Sequence, residues 1–445
     1  MTTHFELPKM GEIIRRVRKI KGLRLEDLAD EQISPATISN IERGVPHVKQ
    51  DKLYYLMEKL GISMEQIPEL IKGEEEKLQE LKTKLISYES LSSMGKHELC
   101  LQKLKELEAE IDDSHPYAPD YYYIQGKCYR HLKKWRQAEN AYYQAIRVSQ
   151  HTPTDTEAAA FNELSLCSFY QNDLEQALQY VESGIDAFAG RGNRSQIIYI
   201  LKRNKGIYLE RLGRLGEAMR VVDETWDQLS EIEQVETTLV FYWLRAELSR
   251  RTGVLDQAVE YAQTGLELAR LNRDFSMMFD FWTVLGSTYI QLKKWERAEH
   301  CFDMALQLKD RLPDFDEDKF IITYTRLGLL YMKFNRNEDA VIAVQKAIAI
   351  GERMNDAPHL ANALHAMGDY YRLQDDRQEA AAYYRRELEL AESHGLHQQT
   401  YQAMLRLAEC LEEVDKKEFQ QLTRNMYRLQ LKLQNEEGSI LEKVE

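Results

Sequence analysis

Hydrophobic residues recur every three or four positions along most of the chain, which predicts a protein built from amphipathic helices. The stretch 126–145, GKCYRHLKKWRQAENAYYQA, shows this pattern clearly. Its residues Ala138, Tyr142 and Ala145 fall on one helical stripe. The small residues Gly126 and Ala138 would let two antiparallel helices approach closely, and Tyr142 would fill the gap beside them.

The same unit returns at intervals of about forty residues. The strings LKKWRQAE at 132–139 and LKKWERAE at 292–299 share six of their eight positions. A small residue followed twelve positions later by alanine occurs at Gly126/Ala138, Ser165/Ala177, Gly206/Ala218, Ala246/Ala258, Gly286/Ala298, Gly328/Ala340 and Gly368/Ala380. Weaker copies at Ser87/Leu99 and from Ala408 bring the total to about nine helix pairs. Self-similarity of this kind predicts a repeat architecture.

The first seventy residues follow a different pattern, that of a small helical bundle. Apolar residues at helical spacing predict helices over Pro8–Lys21, Leu25–Asp30, Ala36–Arg43, Lys49–Leu60 and Met64–Ile71. Ser34 is a good N-cap residue and Pro35 suits the first helical position, so the third helix has a defined start.

Composition agrees with an all-α chain. The 445 residues include only 21 glycines and 9 prolines, and 43% are hydrophobic. The chain has no run of eighteen apolar residues and no signal-peptide core at its N-terminus, so we expect no membrane span and a cytoplasmic location. The five cysteines form no CxxC pair, which favours buried, reduced thiols: Cys100, Cys128, Cys167, Cys301 and Cys410.

Charge divides the chain into two parts. Residues 1–72 hold 12 Lys and Arg against 11 Asp and Glu, whereas the remaining residues hold 47 against 62. Within the first part, Pro8–Arg24 has seven basic residues and one acidic residue. Only the N-terminal part is therefore suited to a polyanion.

The N-terminal pattern resembles the five-helix Cro/C1 type of helix-turn-helix domain. The segments that carry the resemblance are MGEIIRRVRKIKGLRLEDLAD, ISPATISNIERG and LYYLMEKLGISMEQI. Two features depart from that family: Leu25 stands where a phosphate-binding glutamine is common, and the turn before the third helix is one residue shorter. The resemblance implies a structural ion pair between Arg18 and Glu42. It also implies that the third helix enters the major groove of double-stranded DNA.

By position in that fold, seven residues are expected to face DNA: Arg24, Pro35, Ala36, Thr37, Asn40, Arg43 and Lys49. Asn40 is the candidate for a bidentate contact to adenine, and the three basic residues would hold phosphates. The third helix has few hydrogen-bonding side chains, so two copies are expected to pair on an inverted repeat. The alternative is a basic helical bundle that only docks another protein; motif and charge together favour DNA.

The repeats resemble the tetratricopeptide repeat over Leu81–Gln434, with a period of about 40 residues instead of 34. The resemblance implies a right-handed superhelical array whose first helices line a concave face. Ten residues at inward positions are candidates for binding a short peptide: Tyr123, Lys127, Asn162, Arg203, Trp243, Glu247, Arg250, Asn362, His365 and Asp369. Arg130, Asp280, Thr283 and Arg372 occupy equivalent positions. Alternatively, any one of these side chains is a solvated helix-face residue or a contact between helices.

Catalytic and cofactor motifs are missing from the sequence. It contains no GxxxxGK[ST], GxGxxG, HExxH or GxSxG string, so we expect no enzymatic activity, no cofactor and no metal. The pairs His97/Cys100 and His394/His397 lack further ligands at suitable spacing and are interpreted as packed residues.

A helix-turn-helix domain followed by about nine such repeats resembles the RRNPP family of peptide-pheromone receptors of Gram-positive bacteria, in particular its NprR-like and PlcR-like branches. The resemblance implies a quorum-sensing transcription regulator, a homodimer or tetramer whose oligomeric state and DNA binding change when a peptide binds. Because the units of a solenoid touch only their neighbours, we expect its pitch to change at little cost. Two alternatives remain: the repeats bind a phosphorelay response regulator, or they sense a protein partner without a peptide.

The expected division of the chain is a helix-turn-helix domain at 1–72, a helical linker at 73–84, a repeat domain at 85–434 and a C-terminal tail at 435–445.

Overall fold

The computed structural model describes residues 7–45, 48–63, 66–149, 154–190, 194–312, 317 and 319–441. These residues form 22 α-helices and no strand, which confirms the predicted all-α class. The chain divides into two compact units, unit 1 at Met1–Glu110 and unit 2 at Ile111–Glu445. The finer division predicted at residues 72, 84 and 434 stays a prediction. Residues 442–445 of the predicted tail lie outside the described residues.

Unit 1 contains the helices α1 Leu7–Ile20, α2 Leu25–Leu28, α3 Pro35–Glu42, α4 Gln50–Lys59, α5 Ile67–Ser93 and α6 His97–Glu106. Its core includes the fully buried side chains of Ile14, Ile38 and Leu56. Gly11 allows α1 to lie against the end of α3, because a Cβ at this position would stand 2.3 Å from the carbonyl oxygen of Ile41.

The expected fifth helix and the expected linker helix form one helix of 27 residues, α5. Met64 and Glu65, where the fifth helix was predicted to begin, lie outside the described residues. Gly73 does not interrupt α5, since a glycine with helical dihedrals costs only about 1 kcal/mol relative to alanine. Charged pairs four residues apart, such as Glu80 and Lys84 at 2.9 Å, support this exposed stretch.

Unit 2 is a series of antiparallel helix pairs. Its helices are α7 Ala118–His131, α8 Trp135–Ser149, α9 Thr156–Tyr170, α10 Leu174–Ala187, α11 Ile197–Arg211, α12 Leu215–Trp226, α13 Val235–Arg251, α14 Leu255–Asn272, α15 Phe275–Gln291, α16 Trp295–Leu306, α17 Lys319–Lys333, α18 Asn337–Met354, α19 Ala357–Leu373, α20 Arg377–Ser393, α21 His397–Leu411 and α22 Lys416–Leu441. These make eight pairs, and α5 with α6 makes a ninth pair inside unit 1. The described helices thus agree with the predicted number.

The small residues that define the repeat are packing residues, as predicted. A Cβ added to Gly126 would lie 2.4 Å from the ring of Tyr142, and one added to Gly368 would lie 2.5 Å from the ring of Tyr384. The alanine that follows twelve positions later is fully buried in all seven units. In the pairs that begin with Gly126, Gly286, Gly328 and Gly368, a missing side chain on the first helix makes room for a larger one on the second.

The turn inside each pair has a feature that the sequence pattern did not predict. The residue seven positions after the small residue has a left-handed backbone in all seven units: Lys133, Asn172, Gly213, Gly253, Lys293, Asn335 and Asp375. Glycine, asparagine and aspartate tolerate this conformation, but lysine is strained in it. The two lysines, Lys133 and Lys293, belong to the duplicated LKKW strings. The two strings therefore share a strained turn as well as most of their sequence.

Unit 2 also contains contacts between helix pairs far apart in sequence. The side-chain amide of Asn172 donates to the carbonyl oxygen of Asn355 at 2.6 Å, across 183 positions. Nearby, a guanidinium nitrogen of Arg211 lies 3.6 Å from a carboxylate oxygen of Asp356. The expectation that units touch only their neighbours is therefore wrong for this array, because its winding brings the ends of α9 and α11 against the start of α19. We name this set of four residues the cross-array contact.

We predict that Lys293→Gly stabilises the protein by about 0.5–1 kcal/mol, because glycine adopts the positive φ of 57° without steric strain. Chemical denaturation monitored by circular dichroism measures the change. The matched control is Lys294→Gly at the next position, where φ is −97° and glycine brings only added flexibility. Equal effects from the two substitutions would contradict the strain explanation.

Candidate functional site

Helix α3 presents its N-terminal turn at the surface of unit 1. Ser34 is its N-cap, with the side-chain oxygen accepting the backbone N–H of Thr37 at 3.2 Å, and Pro35 follows as the first helical residue. Ile38 and Ile41 are buried beneath the helix. The sequence thus fixes which face of α3 points outward.

All seven residues predicted to face DNA lie at least partly at the surface of unit 1. Arg24, Pro35, Ala36, Arg43 and Lys49 are exposed, and Thr37 and Asn40 are half-buried. Arg43 donates to the side-chain oxygen of Asn40 at 2.6 Å. A contact between Asn40 and a base therefore requires Arg43 to release that oxygen. The role of these residues in DNA binding stays a prediction.

The ion pair implied by the resemblance is present and structural. Two guanidinium nitrogens of Arg18 lie 2.6 and 3.0 Å from the two carboxylate oxygens of Glu42, which is buried. A third nitrogen of Arg18 donates to the carbonyl oxygen of Leu23 at 2.7 Å. The hydrogen bond from Glu42 raises the pKa of Arg18 above its usual value. This pair joins α1 to the end of α3 and holds the exposed face in place.

The short turn before α3 is organised by Asp30, which the sequence analysis placed in a helix. The α2 helix ends at Leu28, because the carboxylate of Asp30 accepts backbone N–H groups of the turn, including that of Gln32 at 2.8 Å. The same carboxylate accepts the hydroxyl of Tyr55 at 2.6 Å and the ammonium of Lys59. These hydrogen bonds, with that of Lys59 the strongest, hold the pKa of Asp30 well below its usual range.

Unit 2 encloses a cavity of about 410 Å³, which we call the central cavity. Its wall is formed by α11, α13, α15, α17, α19 and α21, the first helices of six consecutive pairs. A volume of this size falls within the range of about 300–1,000 Å³ that is typical of ligand sites. Trp243, Glu247, Arg250 and Asn362, four of the ten residues predicted to bind a peptide, line it together.

The wall of the central cavity combines apolar surface with side-chain amides. Trp243 and Phe279 supply aromatic surface. Asn362, Gln398 and Gln402 are exposed and supply carboxamides, each of which can donate and accept hydrogen bonds. Such groups match the alternating N–H and C=O groups of an extended main chain.

Charged groups in the wall form a buried network around Glu247, which is 4% exposed. Arg250 donates to its two oxygens at 2.7 and 2.5 Å, and Arg326 donates to one of them at 3.2 Å. Burial alone would raise the pKa of Glu247, but the two guanidinium groups outweigh that effect and lower its pKa to about 2. A second pair lies beside it, with Arg251 donating to Glu210 at 2.6 Å.

Arg326 is a residue that the sequence analysis missed. It lies two positions before the small residue Gly328, a position that the tetratricopeptide pattern does not assign to the inner face. The same position holds Glu163 and Asn204 in other units, and both bond to a side chain of an earlier unit. A polar residue at this position in three units was the available signal.

The other predicted peptide residues lie outside the wall of the central cavity. Tyr123 lies beneath the guanidinium of Arg194, 4.3 Å from the ring centre, and Lys127 approaches the same ring. Asn162 is buried and accepts a hydrogen bond from Asn204 at 2.9 Å. Tyr123 and Asn162 thus contact side chains outside their own helices, and the assignment of all three residues to a peptide site stays a prediction.

Arg203, His365 and Asp369 are also engaged with protein groups. Arg203 donates to Asn204 at 3.2 Å. His365 bonds to the buried carboxylate of Glu387 at 2.9 Å, and Asp369 accepts the hydroxyl of Tyr384 at 2.8 Å. Their assignment to a peptide site stays a prediction.

Two negative findings apply to the described part of the chain. No group of three or more His, Cys, Asp or Glu side chains there is arranged to hold a metal ion. No helix there is long and apolar enough to cross a membrane.

We predict that Glu247→Gln destabilises the protein by about 3 kcal/mol, because it leaves two buried guanidinium groups without their shared carboxylate. The lowered pKa adds a pH dependence. Stabilisation by Glu247 is present above the unfolded pKa of about 4.3 and is lost as pH falls towards about 2. Denaturant unfolding of wild type and variant between pH 7 and pH 3 measures the difference, which should narrow in acid.

The matched control for that prediction is Glu267→Gln. Glu267 pairs with Arg270 three positions later, as Glu247 pairs with Arg250, but both partners are more than half exposed. Its loss should change stability by no more than about 0.5 kcal/mol. A cost of only about 0.5 kcal/mol for Glu247→Gln would contradict the prediction, because it would show that Arg250 and Arg326 do not need the carboxylate between them.

Comparison with known proteins supports the fold. Residues 14–67 match the helix-turn-helix family, and residues 319–393 match the tetratricopeptide repeat family. No curated protein sequence matches the chain. A solved Rap protein complexed with competence and sporulation factor has a TM-score of 0.59 at 13% identity, covering 80% of this chain and 99% of that one. NprR in complex with its cognate peptide NprX has a TM-score of 0.58 at 15% identity, with the same coverage.

These similarities agree with the helix pairs described above and with the superhelical folds of Rap and NprR proteins. The chain therefore joins an N-terminal helix-turn-helix domain to tetratricopeptide repeats.

Proposed function

We propose that the protein is a cytoplasmic transcription regulator that binds double-stranded DNA through α3 and a short signalling peptide in the central cavity. The observation that carries this proposal is the cavity itself. Its wall combines side-chain amides, guanidinium groups and an indole ring from six successive first helices. Because the chain also has an exposed helix-turn-helix, binding of a peptide in the cavity could change its binding to DNA.

The surface of unit 1 supports the DNA-binding part. The exposed start of α3 is flanked by Arg24, Arg43 and Lys49, and α1 adds the exposed Arg15 and Lys19. This basic surface belongs to the one part of the chain that is not strongly acidic. Phosphate contacts of this kind set register, while the start of α3 reads bases.

The form of the central cavity supports the peptide-binding part. Asn362, Gln398 and Gln402 offer paired donors and acceptors along one side, and Trp243 offers an apolar face. Two proteins of similar fold are described with a bound factor, a cognate peptide in one of them. A short extended peptide satisfies this combination better than a compact small molecule.

Peptide binding would act by shifting a conformational equilibrium of unit 2. A peptide favours one winding of the array only as far as it binds that winding more tightly. The cross-array contact would distinguish the two states of this equilibrium. Asn172 and Asn355 are bonded in the winding described here, and they would separate in the other. A change in winding would alter how paired helix-turn-helix domains are presented to two half-sites, in a homodimer or tetramer.

For DNA binding, we predict different effects from two substitutions in unit 1. Asn40→Ala should lower affinity for a selected site about 10- to 100-fold and leave random DNA unaffected, since it removes a base contact. Lys49→Ala should weaken binding to the selected site and to random DNA alike. It should also reduce the slope of log affinity against log salt concentration by about one, because one phosphate contact is lost. Sites are selected from random double-stranded DNA with the full chain, and affinity is measured by fluorescence anisotropy.

Lys416→Ala, an exposed lysine at the start of α22, serves as the control and should change neither affinity nor salt dependence. Failure to recover any site, with or without peptide, would contradict the DNA-binding proposal.

For peptide binding, we predict that a peptide encoded beside the gene binds the full chain and changes both its oligomeric state and its DNA affinity. Asn362→Ala should weaken binding by at least about 10-fold, because it leaves main-chain groups of the peptide unpaired. Calorimetry measures affinity, and light scattering measures the oligomer. Asn272→Ala, an exposed asparagine at the end of α14, is the control. Absence of binding by every such peptide would overturn this part of the proposal.

A further inference from the structure

The buried charges of the central cavity do not balance. Arg250, Arg251 and Arg326 lie in its wall with only two carboxylates among them, those of Glu210 and Glu247. Glu210 is bonded to Arg251 at 2.6 Å, so Arg250 and Arg326 share Glu247. One positive charge in this group of five therefore has no carboxylate of its own.

The other acidic groups near the wall are already engaged. Asp280 lies 2.5 Å from the ammonium of Lys319, and Asp356 lies 2.8 Å from a ring nitrogen of His359 and 3.6 Å from Arg211. Neither side chain has a bond to Arg250 or Arg326 among the described contacts. The surplus charge is thus located at the two arginines that share Glu247.

Burial makes that surplus positive charge energetically costly. The side chain of Arg326 is 21% exposed and that of Arg250 is 13% exposed. Burial and the neighbouring guanidinium of Arg250 lower the pKa of Arg326 to about 10, against the attraction of Glu247. Most of that shift comes from burial, which removes water from the guanidinium, and the single carboxylate that Arg326 shares with Arg250 does not offset it.

We infer that the central cavity selects peptides that carry a carboxylate, and that Arg326, with Arg250 beside it, is the group that binds it. This inference rests on the proposed peptide-binding function. A planar guanidinium can hold a carboxylate through two parallel hydrogen bonds, which fixes both position and direction. The carboxylate belongs either to an aspartate or glutamate side chain or to the C-terminus of the peptide.

The size of the surplus favours a carboxylate over a phosphate. One added negative charge gives three arginines and three carboxylates, which is neutral. A phosphate dianion would leave an excess negative charge beside Glu247 and Glu210 in a poorly solvated site. Trp243 and Phe279 in the same wall favour an apolar residue near the acidic one.

The test uses the full chain and synthetic heptapeptide pools with one position fixed. At each position the pools carry Asp, Glu, Asn or Gln, and every pool is made with a free or an amidated C-terminus. Binding is measured by competition calorimetry. We expect at least a 10-fold preference for Asp or Glu over the matching amide at one position, or for the free over the amidated C-terminus. Which of the two appears identifies the source of the carboxylate.

The variant Arg326→Gln should reduce that preference, measured as the ratio of affinities between matched pools, to less than about 3-fold. It keeps a hydrogen-bonding group near Ser287, which Arg326 contacts at 2.6 Å, and removes the surplus charge, so the variant is expected to fold. A melting curve verifies this. Arg270→Gln, on the exposed pair with Glu267, is the control and should leave the preference unchanged.

The outcomes separate this inference from the function on which it rests. If pools bind but show no preference for a carboxylate, the inference is wrong and peptide binding stands. The inference is also wrong if the preference survives Arg326→Gln in a folded variant. If no pool binds at all, the peptide-binding proposal itself fails.

Discussion

The close approach of the two helices in each pair is the constraint on which the rest of unit 2 depends. In the pair α7–α8, the ring of Tyr142 occupies the space where a side chain at Gly126 would begin. Interiors of this density do not tolerate an added methyl group without displacement of the backbone. Equivalent contacts at Gly286, Gly328 and Gly368 fix the angles of three further pairs, and these angles contribute to the winding that surrounds the central cavity.

The residues that pack the helix pairs differ in chemical character from those that line the central cavity. The small and aromatic residues at the repeat positions carry no charge, while those facing the central cavity include buried guanidinium and carboxylate groups. Buried ion pairs contribute little to stability after the cost of desolvation, so a network such as that around Glu247 is better explained by specificity than by folding.

Sequence periodicity predicted the number of helix pairs and the buried small residues, and the resemblance to a helix-turn-helix domain predicted the ion pair between Arg18 and Glu42. Each of these depends on spacing along one helix or on a well-marked motif. Arg326 escaped prediction because it bonds to Glu247, 79 positions away, and that reach depends on how successive pairs are wound. The strained turn at Lys133 and Lys293 escaped because glycine or asparagine, the usual residues for a left-handed backbone, are replaced there by lysine.

The cross-array contact has a consequence for the way the protein unfolds. An array linked only through neighbours can fray from either end, one pair at a time, because each pair contributes its own share of the stability. The bond between Asn172 and Asn355 connects the second pair of unit 2 to the end of its sixth, so the pairs between them cannot separate without breaking it. Bringing Asn172 and Asn355 together closes a long loop of chain, which lowers the chain entropy. The contacts within the intervening pairs must form first to offset that loss. The middle of unit 2 is therefore expected to be a kinetically persistent block, protected from proteolysis, while the terminal helices open locally.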